Sequence, residues 1–232
     1  MTLRYLFLVV LVPWTFAAQD FARPPLVLPA VATTALAASL KAAAMHPAHV
    51  WRDTAPINRD GTVNGYIEIA RGDRRKWEFD MRANVRAIDR MIPVNVGGYP
   101  VNYGFVPQTV SYDGDPFDVL VLGPPLPDGR LVRGVIVGVM HMEDEKGLDS
   151  KVVISQTRAD GRPLHALTSA VQREIGDYFK RYKLHEPGAF SRVPGWGPVA
   201  EGLAYVTTTH TFFRECRERA GAPCQVGQQR KE

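Results

Sequence analysis

From Gly65 onward, apolar and charged positions alternate. Tyr66-Ile67-Glu68-Ile69 and Lys76-Trp77-Glu78-Phe79-Asp80 carry the two-residue period of half-buried strands. Gly72-Asp73 lies between them and predicts a hairpin. Ala87-Ile88-Asp89-Arg90-Met91 reads as a further strand, and residues 97–104, dense in Gly and Tyr, as a loop. Val119-Leu120-Val121-Leu122 is unbroken apolar sequence, the mark of a strand buried on both faces. Turn signals at Pro124-Pro125 and Asp128-Gly129 precede a long β-rich run, Leu131–Met142, and a shorter one at Lys151–Ser155. Strands spaced in this way predict a small barrel or a strongly curved sheet. The period then changes. Leu164, Leu167, Val171, Ile175, Tyr178, Phe179 and Tyr182 share one face of a helix predicted from about Pro163 to Lys183. A second helix is expected from Pro198 to about Arg219, although Gly202 and the threonines at 207–209 weaken it. Upstream, residues 18–50 are rich in Ala and Pro. They read as a linker or a surface extension with a short helix at Ala35–Ala44, and His46 and His49 read as surface histidines.

Composition changes this picture little. The chain has 232 residues, 45% hydrophobic and 22% charged, enough to bury a core in one domain. The net charge of +4 is spread along the chain, so a nucleic-acid partner is not indicated. The N-terminus adds more. Arg4 precedes an apolar run from Tyr5 to Trp14, and Thr15-Phe16-Ala17 fits a small-residue cleavage pattern. That is the layout of a secretory signal peptide over residues 1–17, and the run is short for a stable membrane span. It implies a periplasmic or secreted protein; a misassigned start would leave it cytoplasmic. Cys216 and Cys224 then read either as a disulfide tying the tail or as two free thiols.

The chemistry gathers at Asp113-Gly114-Asp115-Pro116-Phe117-Asp118. Gly and Pro form a tight turn that delivers three carboxylates to the lip of the buried strand. Taken alone, the stretch reads equally as a solvated hairpin tip. Three unpaired carboxylates repel one another, so a stable cluster calls for cations, and oxygen-only ligands favour a hard ion such as Mg²⁺, Mn²⁺ or Ca²⁺. A second acidic group, Glu143-Asp144-Glu145 with Asp149 and Lys151, also sits where a β-run gives way to a turn. The two groups converge if their strands are neighbours in a closed sheet. A site of several acids and several metals suits phosphoryl transfer.

Asp-Gly-Asp-Pro-Phe-Asp-Val-Leu-Val closely resembles the signature of the soluble family I inorganic pyrophosphatases. The resemblance runs in order from about Gly65 to Trp196. It takes in Glu68 in Ile-Glu-Ile, Lys76 and Glu78, the Asp89-Arg90 pair, and Tyr99 and Tyr103 around Asn102. It continues through Asp144, Asp149 and Lys151, Tyr182-Lys183 and Gly195-Trp196. It implies a mainly β (α+β) fold: a small five-stranded, OB-like closed barrel with two flanking helices. It implies hydrolysis of pyrophosphate to two phosphates by a metal-bridged hydroxide, with several Mg²⁺ per site and Mn²⁺ or Zn²⁺ as substitutes. Metal ligands would be Asp113, Asp118 and Asp149, with Asp144 holding a further ion. Asp115 would be the general base. Lys76, Arg90, Tyr103, Lys151, Tyr182 and Lys183 would grip phosphate, and Glu68 and Glu78 would act from the outer shell, with Glu68 close enough to count among the catalytic groups. Tyr99 divides evenly between packing and site.

The organisation expected is a signal peptide over 1–17, an extension over 18–64 and a catalytic domain over 65–232, in a homo-oligomer with neither nucleic-acid partner nor stable membrane span. The short connection between Ser155 and Leu164 sets the chain apart from bacterial-type members, whose loops there carry subunit contacts. Two other functions compete. One is an exported metal phosphohydrolase acting on nucleotides or polyphosphate; the other is a non-catalytic OB-like binding module.

Overall fold

A computed structural model describes residues 30–111 and 113–218, with side chains from Leu36 onward. The expected signal peptide and Cys224 lie outside these residues. In chain order the elements are α1 (Ala30–Ala43), α2 (Val50–Asp53), β1 (Val63–Ile69), β2 (Arg75–Asp80), β3 (Val85–Met91), β4 (Asn102–Phe105) and β5 (Asp118–Leu122). They continue with β6 (Leu131–Asp144), β7 (Gly147–Leu148), β8 (Lys151–Ser155), α3 (Ser169–Phe179), β9 (Ser191–Gly197) and α4 (Val199–Glu218).

Five strands close a ring in the order β1, β4, β5, β8, β6 and back to β1. All of its pairings are antiparallel except β5 with β8. This is the small barrel that the strand spacing allows, in the mainly β, five-stranded, OB-like form that the family resemblance implies. Long β6 closes it: residues 131–134 pair with β1, and residues 139–144 pair with β9. A Cβ added at Gly65 would lie 3.1 Å from Val119 and 3.6 Å from Ile154, so the interior holds side chains of β5 and β8 packed against the bare backbone of β1. Val63, Ile67, Val119, Val121, Val152 and Ile154 fill it, with Tyr205 and Val206 of α4 packed against them. Leu120, Leu122 and Val153 point the other way, onto Ile175, Tyr178 and Phe179 of α3. β5 therefore buries both faces, which is why it reads as unbroken apolar sequence. At Gly104 any Cβ would fall 1.8 Å from the Tyr66 carbonyl oxygen, so only glycine lets β4 lie this close to β1.

Residues 102–104, read as part of a loop, belong to strand β4, and three further expectations need correction. Gly72-Asp73 does not turn β1 back onto β2. The Gly72 N–H donates to Tyr99 O at 2.8 Å, and Tyr99 N–H donates to Asp73 O at 3.0 Å, so the turn docks on the 97–100 loop. β2 pairs instead with β3 in a separate two-stranded sheet. Asp80 Oδ1 accepts the Arg82 and Ala83 N–H groups there, and Asn84 takes a positive φ of 56°. Second, α3 is shorter than the apolar period implies. Thr168 caps it by accepting the Val171 N–H, while Leu164 and His165 are tied to Gln156 and Ser155 at the end of β8. Third, His49 is no surface residue: it is 2% exposed. β9 was not foreseen, because Pro194, Gly195 and Gly197 read as loop. The predicted α4 matches its observed bounds to within a residue at each end.

The extension is packed on the domain rather than trailing from it. Leu36, Ala43 and Trp51 form a cluster with Phe105, Val110, Phe212, Phe213 and Cys216. Trp51 donates its indole N–H to Thr109 O at 2.9 Å. No helix among the described residues is long and apolar enough to cross a membrane.

Candidate active site

The acidic turn is built by its own backbone. Ser111 N–H donates to Asp115 O at 2.6 Å, and Asp115 N–H donates to Asp113 Oδ1 at 3.1 Å. Gly114 supplies the positive φ of 89° that this turn needs. Asp113 and Asp115 stand at its tip facing the cleft, and Asp118 opens β5.

Topology brings the second acidic group to the same end of the barrel. β8 runs parallel to β5, with Val119 opposite Val152, so Asp149 and Lys151 arrive beside Asp118. β6 runs antiparallel to β8, with Met140 opposite Lys151, so its C-terminal Asp144 arrives there too. Tyr103 of β4 lies opposite both Ile69 and Leu120, which sets it between Glu68 and the acidic turn. The resulting cleft is lined by Asp113, Asp115, Asp118, Asp144, Asp149, Glu68 and Glu78. Lys76, Tyr99, Tyr103, Tyr182 and Lys183 complete it from among the expected residues.

Two of the expected residues do not line it. Lys151 is 1% exposed and lies under the floor, its Nζ 2.5 Å from Asp118 Oδ2 and 2.8 Å from Asp149 Oδ1. Arg90 stands behind the wall, 2.6 Å from Asp89 and 2.7 Å from Glu186. Asp89 links it to the cleft by accepting from Lys76 Nζ at 3.1 Å. Lys76 also pairs with Glu78. Lys183 Nζ donates to Asp144 at 2.6 Å and to Glu145 at 2.9 Å. Asn102 has a structural role: its amide donates to Val121 O and Pro124 O and accepts from Arg71 and Leu126. Tyr99 serves both packing and wall, 1% exposed with its ring 5.5 Å from that of Tyr103.

Sequence reasoning missed Phe79, Met81, Ser111, Pro116 and Lys146 among the lining residues. Lys146 had a signal, since it follows the Asp144-Glu145 pair in a turn. Asp89 was marked only as the neighbour of Arg90 in a paired motif, and Glu186 carries no mark of its own.

Crowded acids at a partly dehydrated site resist ionisation. Desolvation raises Glu68 to about 8, against the pull of the Phe79 N–H that donates to it at 2.6 Å, and Asp118 and Glu78 add repulsion. Desolvation and then repulsion from Asp113 raise Asp115 to about 7. Desolvation also outweighs Lys151 at Asp149, raised to about 7. The Lys151 ammonium sits closer to Asp118 than to Asp149, so its charge is directed mainly there. Burial works against that ammonium too, but Asp118 and Asp149 more than offset it and its pKa is raised. Burial keeps the Tyr103 and Tyr182 phenols protonated, as hydrogen-bond donors.

This donor set fits hard divalent cations. It is all oxygen, and its acids outnumber the ammonium groups between them, leaving Asp113 and Asp115 repelling one another. Among the described residues no three acids stand close enough to share one ion as they are placed. Lys151 stands between Asp118 and Asp149, and Lys183 holds Asp144.

The inorganic pyrophosphatase family matches residues 65–214. The chain belongs to this family. Its relatives include the inorganic pyrophosphatase of Aeropyrum pernix, 42% identical over 148 residues that make up 60% of this chain and 82% of that one. That of Ralstonia nicotianae is 39% identical over 146 residues, 60% of this chain and 83% of the relative. Among solved structures, the inorganic pyrophosphatase of Thermus thermophilus superposes with a TM-score of 0.66 at 32% identity, covering 72% of this chain and 99% of that one. The family match takes in every candidate residue from Glu68 to Lys183, whereas α1 and α2 precede it.

Proposed function

We propose that this chain hydrolyses inorganic pyrophosphate to two phosphates in the cleft at the end of the barrel, with divalent metal, Mg²⁺ above all. One observation carries the reading. Strands and the turns beside them bring seven carboxylates from separate parts of the chain to one cleft, with the cations Lys76 and Lys183 and the phenols of Tyr103 and Tyr182 around them. Acids to hold metal and donors to hold phosphate are the two halves of a pyrophosphate site, and family membership supports the same substrate.

Asp113, Asp118 and Asp149 would hold metal, with Asp144 for a further ion. When bound, the metals would neutralise phosphate charge and acidify water. The chain's own groups do the rest. Asp115, at the tip of the turn, accepts the proton of the attacking water. Lys76, Lys183, Tyr103 and Tyr182 donate to phosphate oxygens as charge moves to the leaving group. Arg90 acts through Asp89 on Lys76, and Lys151 fixes Asp118 and Asp149 from below. Glu78 pairs with Lys76, and Glu68, which accepts the Phe79 N–H, orders the same wall.

We also read residues 1–17 as an export signal, residues 65–232 as the catalytic domain and the active species as a homo-oligomer. Phosphate release by the purified chain, with and without Mg²⁺, tests the reaction. Asp118→Ala should abolish release and leave circular dichroism unchanged. Equal or faster turnover of ATP or tripolyphosphate would reject the substrate in favour of a broader phosphohydrolase.

A further inference from the structure

The segment ahead of the family match touches the tip of the hairpin that forms one wall of the cleft. His49 Nε2 bonds to Met81 O at 3.0 Å, and His46 Nε2 to Arg82 O at 2.8 Å. From the hairpin side, Asn84 Nδ2 donates to Ala48 O at 3.1 Å. The His49 ring stands edge-on to Phe79, centroids 5.6 Å apart. Its Nδ1 accepts the Arg52 N–H, so Nε2 carries the proton that goes to Met81. Phe79, on the strand that carries Lys76 and Glu78, and Met81, in the turn just after it, line the cleft. The Phe79 N–H holds the Glu68 carboxylate at 2.6 Å.

The hairpin needs such a hold. β2 and β3 form a two-stranded sheet of their own, outside the ring's hydrogen bonds, and an isolated pair of strands is marginally stable. Arg86, which donates to Glu68 O and pairs with Asp128, ties the hairpin to the barrel further along. The tip itself is held by His46, Ala48 and His49.

We propose that residues 46–49 brace the hairpin and that His49 is a positioning residue for pyrophosphate hydrolysis, acting through Met81 and Phe79 on the wall that carries Lys76 and Glu68. The proposal rests on the function given above. Two substitutions separate its parts. In His49→Gln the amide nitrogen takes the place of Nε2 and still reaches Met81 O. In His49→Asn the cap on α2 is kept, but the side chain is too short for Met81. With the full-length chain at saturating Mg²⁺, His49→Asn should lower kcat/KM for pyrophosphate roughly tenfold, mostly through KM because Lys76 loses its place. His49→Gln should stay within about twofold of wild type. Asn84→Gly removes a second of the three tethers while suiting the positive φ, and should shift KM in the same direction by less. It decides the matter should His49→Asn fail to fold. A fall in melting temperature with kcat and KM unchanged, or equal losses in the Gln and Asn variants, would overturn the brace alone. An inactive wild-type chain would overturn the function and the brace together.

Discussion

One ammonium under the cleft floor, that of Lys151, answers two carboxylates, and each of the three groups depends on the others. Replacing it with methionine fills the space but leaves Asp118 and Asp149 unpaired beside one another. Breaking such a buried pair costs about 3–5 kcal/mol. Lys151→Met should therefore shift the urea midpoint strongly and cut phosphate release by about a hundredfold or more. A variant with near-native midpoint and turnover would show that the lysine is incidental. At this scale the sequence was readable wherever a residue type has few uses. Three aspartates spaced by Gly and Pro marked a tight turn, and the family resemblance around them turned what reads equally as a hairpin tip into a candidate site. By contrast, Glu186 looks like any solvated glutamate, and only the fold sets it 2.7 Å from Arg90. The depth of Lys151 was likewise hidden, because a lysine opening a strand gives no sign of being buried.

Single elements show which local signals survive tertiary competition. Most strands of the ring were legible from alternation or an unbroken apolar run, and α4 from its bounds, whereas β4 was hidden in a stretch dense in Gly and Tyr that reads as a loop. The β2–β3 pairing was not legible either, since a Gly-Asp turn signal says that the chain bends but not which strand receives it. Close approach gives a sharp test: Gly104→Ala drives a methyl group into the Tyr66 carbonyl and should destabilise the fold by about 3 kcal/mol or more, read by urea unfolding. α2 offers a pH test. Burial holds the His49 pKa below the usual 6.5. As pH falls through that value, the unfolded chain takes up a proton that the native chain refuses, so stability drops. Arg52 and His46 push the same way, while Asp53 and the bond to Met81 O oppose them. The melting temperature of wild type should fall more between about pH 7.5 and pH 5.5 than that of His49→Gln. Parallel curves would mean that His49 takes up its proton equally in the folded and unfolded chain, so that burial does not lower its pKa.

For the molecule as a whole, the cleft concentrates more negative than positive charge at one end of the barrel, and a cation that binds only the folded chain should relieve it. Mg²⁺ at a hundred times its dissociation constant should add about 2.7 kcal/mol of stability, and chelation should remove it together with activity. A melting temperature indifferent to Mg²⁺ would count against the metal site. Barrel closure itself was only half legible: strand number and spacing pointed to it, but the partners of β6 are set by geometry that no local pattern encodes. That strand has a kinetic consequence. The ring joins Val63 to Gly134, roughly seventy residues apart, so no portion of the chain ending before β6 can close the barrel. β1 must wait, with one edge unsatisfied, until β6 has been made. Folding should accordingly be slow and all-or-none, with its transition state weighted toward residues 131–134.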